Sequence, residues 1–257
     1  MHSHQESFQR LVEIVEELRE KCPWDRKQTK ESLRHLTIEE TYELADAILQ
    51  NDYSEIKVEL GDLLLHILFY NSLASEKGKF SLDEMIQGQI DKLIRRHPHI
   101  YGDLQGATED EIRVNWEQIK AQEKADSGKK KASVLDGVPE SMPSLIKAQR
   151  MQEKAALVGF DWENKDQVWD KIEEEIGEFK AETDRVKQEE EMGDLLFALV
   201  NYCRFLGINA EDALARTNRK FKTRFEHIEA RAREINKPLN EMDLEEMEGY
   251  WQEAKGK

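Results

Sequence analysis

KIEEEIGEFKAETDRVKQEEEMGDLLFALV, residues 171–200, is the stretch on which the fold turns. Glu174, Glu175 and Glu178 form a Glu-Glu-x-x-Glu run, and Glu191 with Asp194 forms a Glu-x-x-Asp pair. Val168, Ile172, Ile176 and Phe179 recur at helical spacing around the first. Met192, Leu195, Leu196, Leu199 and Val200 do so around the second, so both segments predict amphipathic helices. Residues three apart on a helix are neighbours on one face. Glu175 with Glu178, and Glu191 with Asp194, therefore each make a two-carboxylate jaw. About ten residues separate the two segments, enough for the chain to reverse and set the jaws opposite each other.

Asp194 is followed directly by Leu-Leu-Phe-Ala-Leu-Val, which puts it at the edge of a packed face. A carboxylate in low dielectric is costly unless a cation compensates it. Four converging carboxylates with no His or Cys suit a hard, oxygen-loving cation, Mg²⁺ or Mn²⁺. A single acidic run more often simply faces water. Two facing jaws shift that balance, and a repeat shifts it further.

Residues 39–68 read EETYELADAILQNDYSEIKVELGDLLLHIL, again a Glu-Glu-x-x-Glu run (Glu39, Glu40, Glu43), then Glu59 and Asp62, then leucines. The offset is 135 residues from Glu40 to Glu175 and 132 from Asp62 to Asp194. Cys22-Pro-Trp-Asp25 matches Gly159-Phe-Asp-Trp162, Lys92 and Arg96 match Lys220 and Arg224, and Trp116 matches Trp251 in the same order. This is a tandem duplication, and it sets the domain plan: an N-terminal domain over 1–125, a polar, Gly- and Pro-punctuated linker over 126–144, and a C-terminal domain over 145–257.

With 257 residues the chain accommodates two domains of common size. Lys plus Arg number 38 against 54 Asp plus Glu, a net charge of −16, which argues against a nucleic-acid partner. A small polyanion can still bind if a metal and a few placed cations neutralise it. Two distant cysteines, no apolar leader and no run of about 18 apolar residues point to a reduced cytoplasmic setting and no membrane. Strand alternation is nearly absent, so the expected class is all-α. Helices are expected from residue 11 to Pro23, at about 37–50 and 54–76, from a Ser81 cap to His97-Pro98, at 109–124, and at 244–255. His97-Pro98-His99 reads as a turn. Each half leaves apolar helix faces that need cover, which predicts four-helix-bundle cores and a homodimer.

The ordered set, two carboxylate jaws, a Lys-x-x-x-Arg pair and a late Trp, seen twice, resembles the MazG family of nucleoside triphosphate pyrophosphohydrolases. The resemblance spans nearly the whole chain. It implies an all-α fold, Mg²⁺ dependence, a homodimer, and hydrolysis of a nucleoside triphosphate to a monophosphate and pyrophosphate. Glu175, Glu178, Glu191 and Asp194 then hold the metal. Lys220 and Arg224, one turn apart, grip phosphates, and Trp251 stacks on a base of little-restricted identity. Lys171 and Lys187 resemble the family's other nucleotide-contacting positions. Glu174 and Glu190 sit beside the ligands as catalytic candidates that could orient water or a second metal.

The halves differ. Lys171 corresponds to Leu36 and Lys187 to Glu55, so the set Glu40, Glu43, Glu59, Asp62, Lys92, Arg96 and Trp116 lacks two cations. The C-terminal half is therefore expected to be the main catalytic site and the N-terminal half a second, weaker site or a scaffold. The rival reading is a non-catalytic nucleotide-sensing adaptor. A di-iron bundle is rejected, because neither jaw carries the Glu-x-x-His pair it needs.

Overall fold

The structure, a computed structural model, describes residues 3–102, 106, 108–126 and 133–256. Among these the regular elements are all helical, as expected. The chain divides into two compact units, Met1–Glu123 and Lys124–Lys257. No described helix is long and apolar enough to cross a membrane.

The first unit opens with α1 (His4–Lys21), started by a reciprocal Ser3–Glu6 capping box. It continues with α2 (Lys30–Gln50), α3 (Tyr53–Glu76), α4 (Leu82–Arg96), the short α5 (Pro98–Tyr101) and α6 (Glu109–Asp126). Helix α2 begins seven residues earlier than its apolar spacing suggests. Thr29 and Ser32 exchange backbone-to-hydroxyl hydrogen bonds of 2.9 and 3.1 Å, a capping box with Ser where an acid is usual. Asn51, in the left-handed region at φ 57°, ends α2, and the Asp52 carboxylate caps α3. Helix α3 packs on α1, α2 and α4. Between them Val15, Leu33, Leu68, Phe69 and Leu73 form a buried cluster. Burying such a side chain stabilises by about 1.5–3 kcal/mol. The His97 ring packs edge-on against Trp116, 5.5 Å between centroids, and the His-Pro-His run, expected as a turn, instead joins α4 to a short helix opening at Pro98.

The second unit holds α7 (Ser144–Ala156), α8 (Lys165–Ala181), α9 (Arg185–Phe205), α10 (Ala210–Glu234) and α11 (Leu244–Lys255). Helix α9 is central, touching α7, α8 and α10, and α10 also holds α11. The reversal between α8 and α9 needs three residues rather than ten. Asn164 and Asp184 cap the two N-termini, and the Glu182 side chain accepts the Thr183 and Asp184 amides. The core is Val168, Ile172, Ala198, Val200, Ile228 and Ala232.

At the offset of 132, α9 carries smaller or more polar residues than α3. Ala198 stands for His66, Asn201 for Phe69 and Arg204 for Ser72. Where α3 fills its interior, α9 leaves space.

Candidate functional site

In the second unit the jaws meet. One oxygen each from Glu175, Glu178 and Glu191 lie within 4.8 Å of one another. Helix spacing brings Glu175 and Glu178 to one face of α8, and the short reversal lays the start of α9 beside it. Glu175 is buried, Glu191 half-buried and Glu178 exposed. Loss of hydration, then the charges of Glu178, Glu175 and Asp194, hold the Glu191 carboxyl above its ordinary range. The cluster is thus short of positive charge. Lys171 supplies some, at 2.7 Å from Glu175 and 2.8 Å from Glu174, and these bonds raise its own pKa, Glu174 first. The other Glu175 oxygen, Oε2, is buried with no hydrogen-bond partner. Burying an acceptor bare costs about 1–3 kcal/mol. The donors are all carboxylate oxygens, one of them buried and bare, which fits a hard divalent cation. Asp194 stands outside the trio, exposed, but its charge bears on Glu191.

Beside the carboxylates opens a cavity of about 740 Å³, within the range of small-molecule sites. Lys171, Glu175 and Asp194 line it, along with Phe160, Trp162 and Phe197. Val134 and Leu135 also contribute, so the described end of the expected linker is wall rather than free tether. Two buried polar side chains reach it, Gln152 from α7 and Asn201 from α9. Gln152 Nε2 donates to the Phe197 carbonyl at 2.8 Å, and its Oε1 is buried without a partner. Arg204 Nε donates to Asn201 Oδ1 at 2.9 Å, and the guanidinium makes a two-pronged pair with Asp161.

The remaining expected residues are less closely drawn in. Glu174 is beside the trio through Lys171, while Lys187 and Glu190 are exposed on the first turns of α9. Lys220 and Arg224 lie on α10, and among the described residues neither forms a hydrogen bond or ion pair with the carboxylates. Trp251 does not stand free. Arg224 lies over its ring at 5.4 Å, and Phe221 packs against it at 5.3 Å.

The first unit builds the same trio, from Glu40, Glu43 and Glu59. Burial, then the Asp62 and Glu43 charges, raise the Glu40 carboxyl; burial, then Glu43, raise that of Glu59. No lysine stands where Lys171 does. Lys92 is half-buried, Arg96 is held by Glu123 at 3.1 Å through its Nε, and Trp116 carries Lys120 over its face at 4.8 Å. The described cavity of this unit is about 130 Å³, and none of the four carboxylates lines it.

Sequence reasoning missed Gln152, Asn201, Arg204 and the aromatic wall. Asn201 carried one legible signal: an amide in the apolar run of α9 where the sister repeat has Phe69.

A family profile described as the MazG nucleotide pyrophosphohydrolase domain matches residues 28–101 and 164–229. A Thermotoga maritima protein named nucleoside triphosphate pyrophosphohydrolase/pyrophosphatase MazG is 45% identical over 251 residues, covering 97% of this chain and 96% of that one. The Escherichia coli K12 nucleoside triphosphate pyrophosphohydrolase is 43% identical over 254 residues, 96% of each chain. A crystal structure of a MazG-related protein from Thermotoga maritima aligns with a TM-score of 0.40 at 29% identity, over 44% of this chain and 97% of its own.

Proposed function

The chain belongs to the MazG nucleotide pyrophosphohydrolase family, and from that premise we propose that it hydrolyses nucleoside triphosphates to a monophosphate and pyrophosphate with Mg²⁺ at the second unit. The observation that carries the reading is the carboxylate trio Glu175, Glu178 and Glu191 beside a cavity that Lys171 and Asp194 also line.

Glu175, Glu178 and Glu191, with Asp194 at the edge, would hold Mg²⁺, or Mn²⁺ in its place. The ion supplies neutralisation of phosphate oxygens and acidification of a water. Lys171 is placed to exchange a glutamate partner for a phosphate oxygen, and Lys187, exposed a turn before Glu191, adds a second cation. Glu174 and Glu190 are the candidates for positioning the attacking water. Lys220 and Arg224 are assigned to the phosphates, Arg224 lying over the Trp251 ring at 5.4 Å. Phosphoryl transfer asks mainly for such positioning and charge stabilisation.

A homodimer is part of the proposal. Met192, Leu196 and Leu199 recur on one stripe of α9 and are 36%, 49% and 39% exposed, an apolar face that a second copy would cover. The first unit, with its trio intact, its interior filled and its Arg96 neutralised by Glu123, is read as a metal-binding scaffold or weak second site.

The test is product identity. Full-length protein is incubated with a panel of ribo- and deoxyribonucleoside triphosphates and Mg²⁺, and the products are separated. Monophosphate with pyrophosphate is the expected result. Diphosphate with orthophosphate would overturn the reaction type, and tight binding without turnover would favour the adaptor.

A further inference from the structure

We propose that the cavity of the second unit is a nucleobase pocket, and that Asn201 and Gln152 read the edge of the base. The inference rests on the pyrophosphohydrolase reading and extends it to a part of the substrate that the carboxylates and lysines do not touch.

The cavity's direction comes first. It is lined by Asp194, Ala198, Asn201 and Arg204 along one face of α9. Ten residues of helix rise about 15 Å. The charged end, at Asp194 with Lys171 and Glu175 opposite, therefore lies well away from Asn201 and Arg204. A nucleotide whose phosphates meet the charged end extends its sugar and base toward the other. That far region has aromatic and aliphatic walls, suited to the flat, weakly polar face of a base.

Two polar groups there are pinned and only half used. The Asn201 side-chain oxygen is engaged by Arg204, and Arg204 is anchored by Asp161. That chain of contacts fixes which way the amide points. Among the described residues it leaves the Asn201 NH₂ as a donor with no hydrogen-bond partner, on a cavity-lining residue that is 9% exposed. Gln152 shows the complement. Its NH₂ is spent on the Phe197 carbonyl, so its bare Oε1 is an acceptor of settled orientation on a residue 7% exposed. Within a helix the Phe197 carbonyl also receives the Asn201 backbone N–H, four residues on. Both side-chain amides therefore meet at one turn of α9, Gln152 reaching it from α7. A fixed donor and a fixed acceptor lining one apolar pocket match the mixed donor–acceptor edge of a nucleobase and nothing on a triphosphate. Arg204 and Asp161 are then positioning residues, acting through Asn201.

This departs from the expectation of little base preference. A site that leaves polar groups unpaired discriminates against ligands that cannot pair them. One such hydrogen bond is worth about tenfold in binding.

The experiment compares full-length parent, Q152L and N201D. Pyrophosphate release gives kcat/KM for the adenine, guanine, cytosine and uracil triphosphates. Calorimetry with the non-hydrolysable α,β-methylene analogues gives the same ranking without turnover. The parent is expected to separate its best and worst base by about tenfold or more, and each variant to compress or reorder that ranking at least severalfold. A merely structural role lowers all four bases by one common factor, and that result overturns the proposal. So does a parent that ranks all four bases alike in both measurements. Absent pyrophosphate release with an intact binding ranking would sink the catalytic reading while sustaining the base pocket.

Discussion

Replacing Glu175 by Gln keeps the volume of a buried side chain and removes one charge from the trio. In metal-free protein the change is expected to be small. Lys171 retains Glu174 at 2.8 Å, and relief of repulsion from Glu178 and Glu191 offsets the lost pair with Lys171. With metal the two proteins should part. A ligand that binds only the folded state stabilises it by about 2.7 kcal/mol at one hundred times its Kd. Disturbing even the supports of metal ligands costs about 10–100-fold in affinity, so losing a ligand should cost at least the upper value. At the same Mg²⁺ concentration the variant then gains only about 0.4 kcal/mol. At about 4 °C per kcal/mol for a unit of this size, the parent's second-unit transition should rise by about 10 °C and the variant's by about 2 °C. Differential scanning calorimetry of the full chain, with and without Mg²⁺, reads both. Glu40→Gln, the equivalent change in the first unit, should leave the second-unit shift intact. If Glu175→Gln keeps the parent's full metal-dependent rise, Glu175 is not a ligand and the metal site is wrongly drawn.

Asp194→Ala should lower turnover by two orders of magnitude or more, whereas Asp62→Ala, in the unit with a filled interior and no counterpart of Lys171, should keep most of it. Steady-state pyrophosphate release by variants of matched melting temperature decides, and equal losses would refute the division of labour. The raised Glu191 carboxyl binds its proton more tightly folded than unfolded. Metal-free stability should therefore fall as pH rises from the ordinary 4.5 through the raised value, and Mg²⁺ should reverse that slope, as melting curves across pH 4–7 would reveal. Leu196→Arg puts a charge in the middle of the α9 stripe and should turn a dimer into a monomer by sedimentation; an unchanged sedimentation coefficient would point the second copy elsewhere.

What the sequence displayed was whatever lives within one helix. The spacing of Glu175 to Glu178, the cap at Ser81 and the duplicated carboxylates are local, and the structure keeps them. The early start of α2 escaped because its box uses Ser32, a residue with little meaning outside that turn. The cavity escaped for another reason. Gln152 on α7, Asp161 in the following loop and Asn201 and Arg204 on α9 are ordinary residues individually, and only packing brings them together. The Asp161–Arg204 pair spans 43 residues with no periodic signature. Trp251 is the opposite case. Its likeness to a stacking residue was plain in the sequence, but its engagement by Phe221 and Arg224 depends on how α10 and α11 lie against each other.

The exchange of Phe69 for Asn201 has a consequence for the lifetime of the protein. One repeat closes its interior with its own aromatic ring. The other keeps an apolar chamber that a substrate would fill, so its resistance to opening should track nucleotide supply. Starved of ligand, the chain should be cut first in the second repeat while the first survives as a resistant fragment. Degradation would then begin in the half that is idle, and occupancy would double as protection.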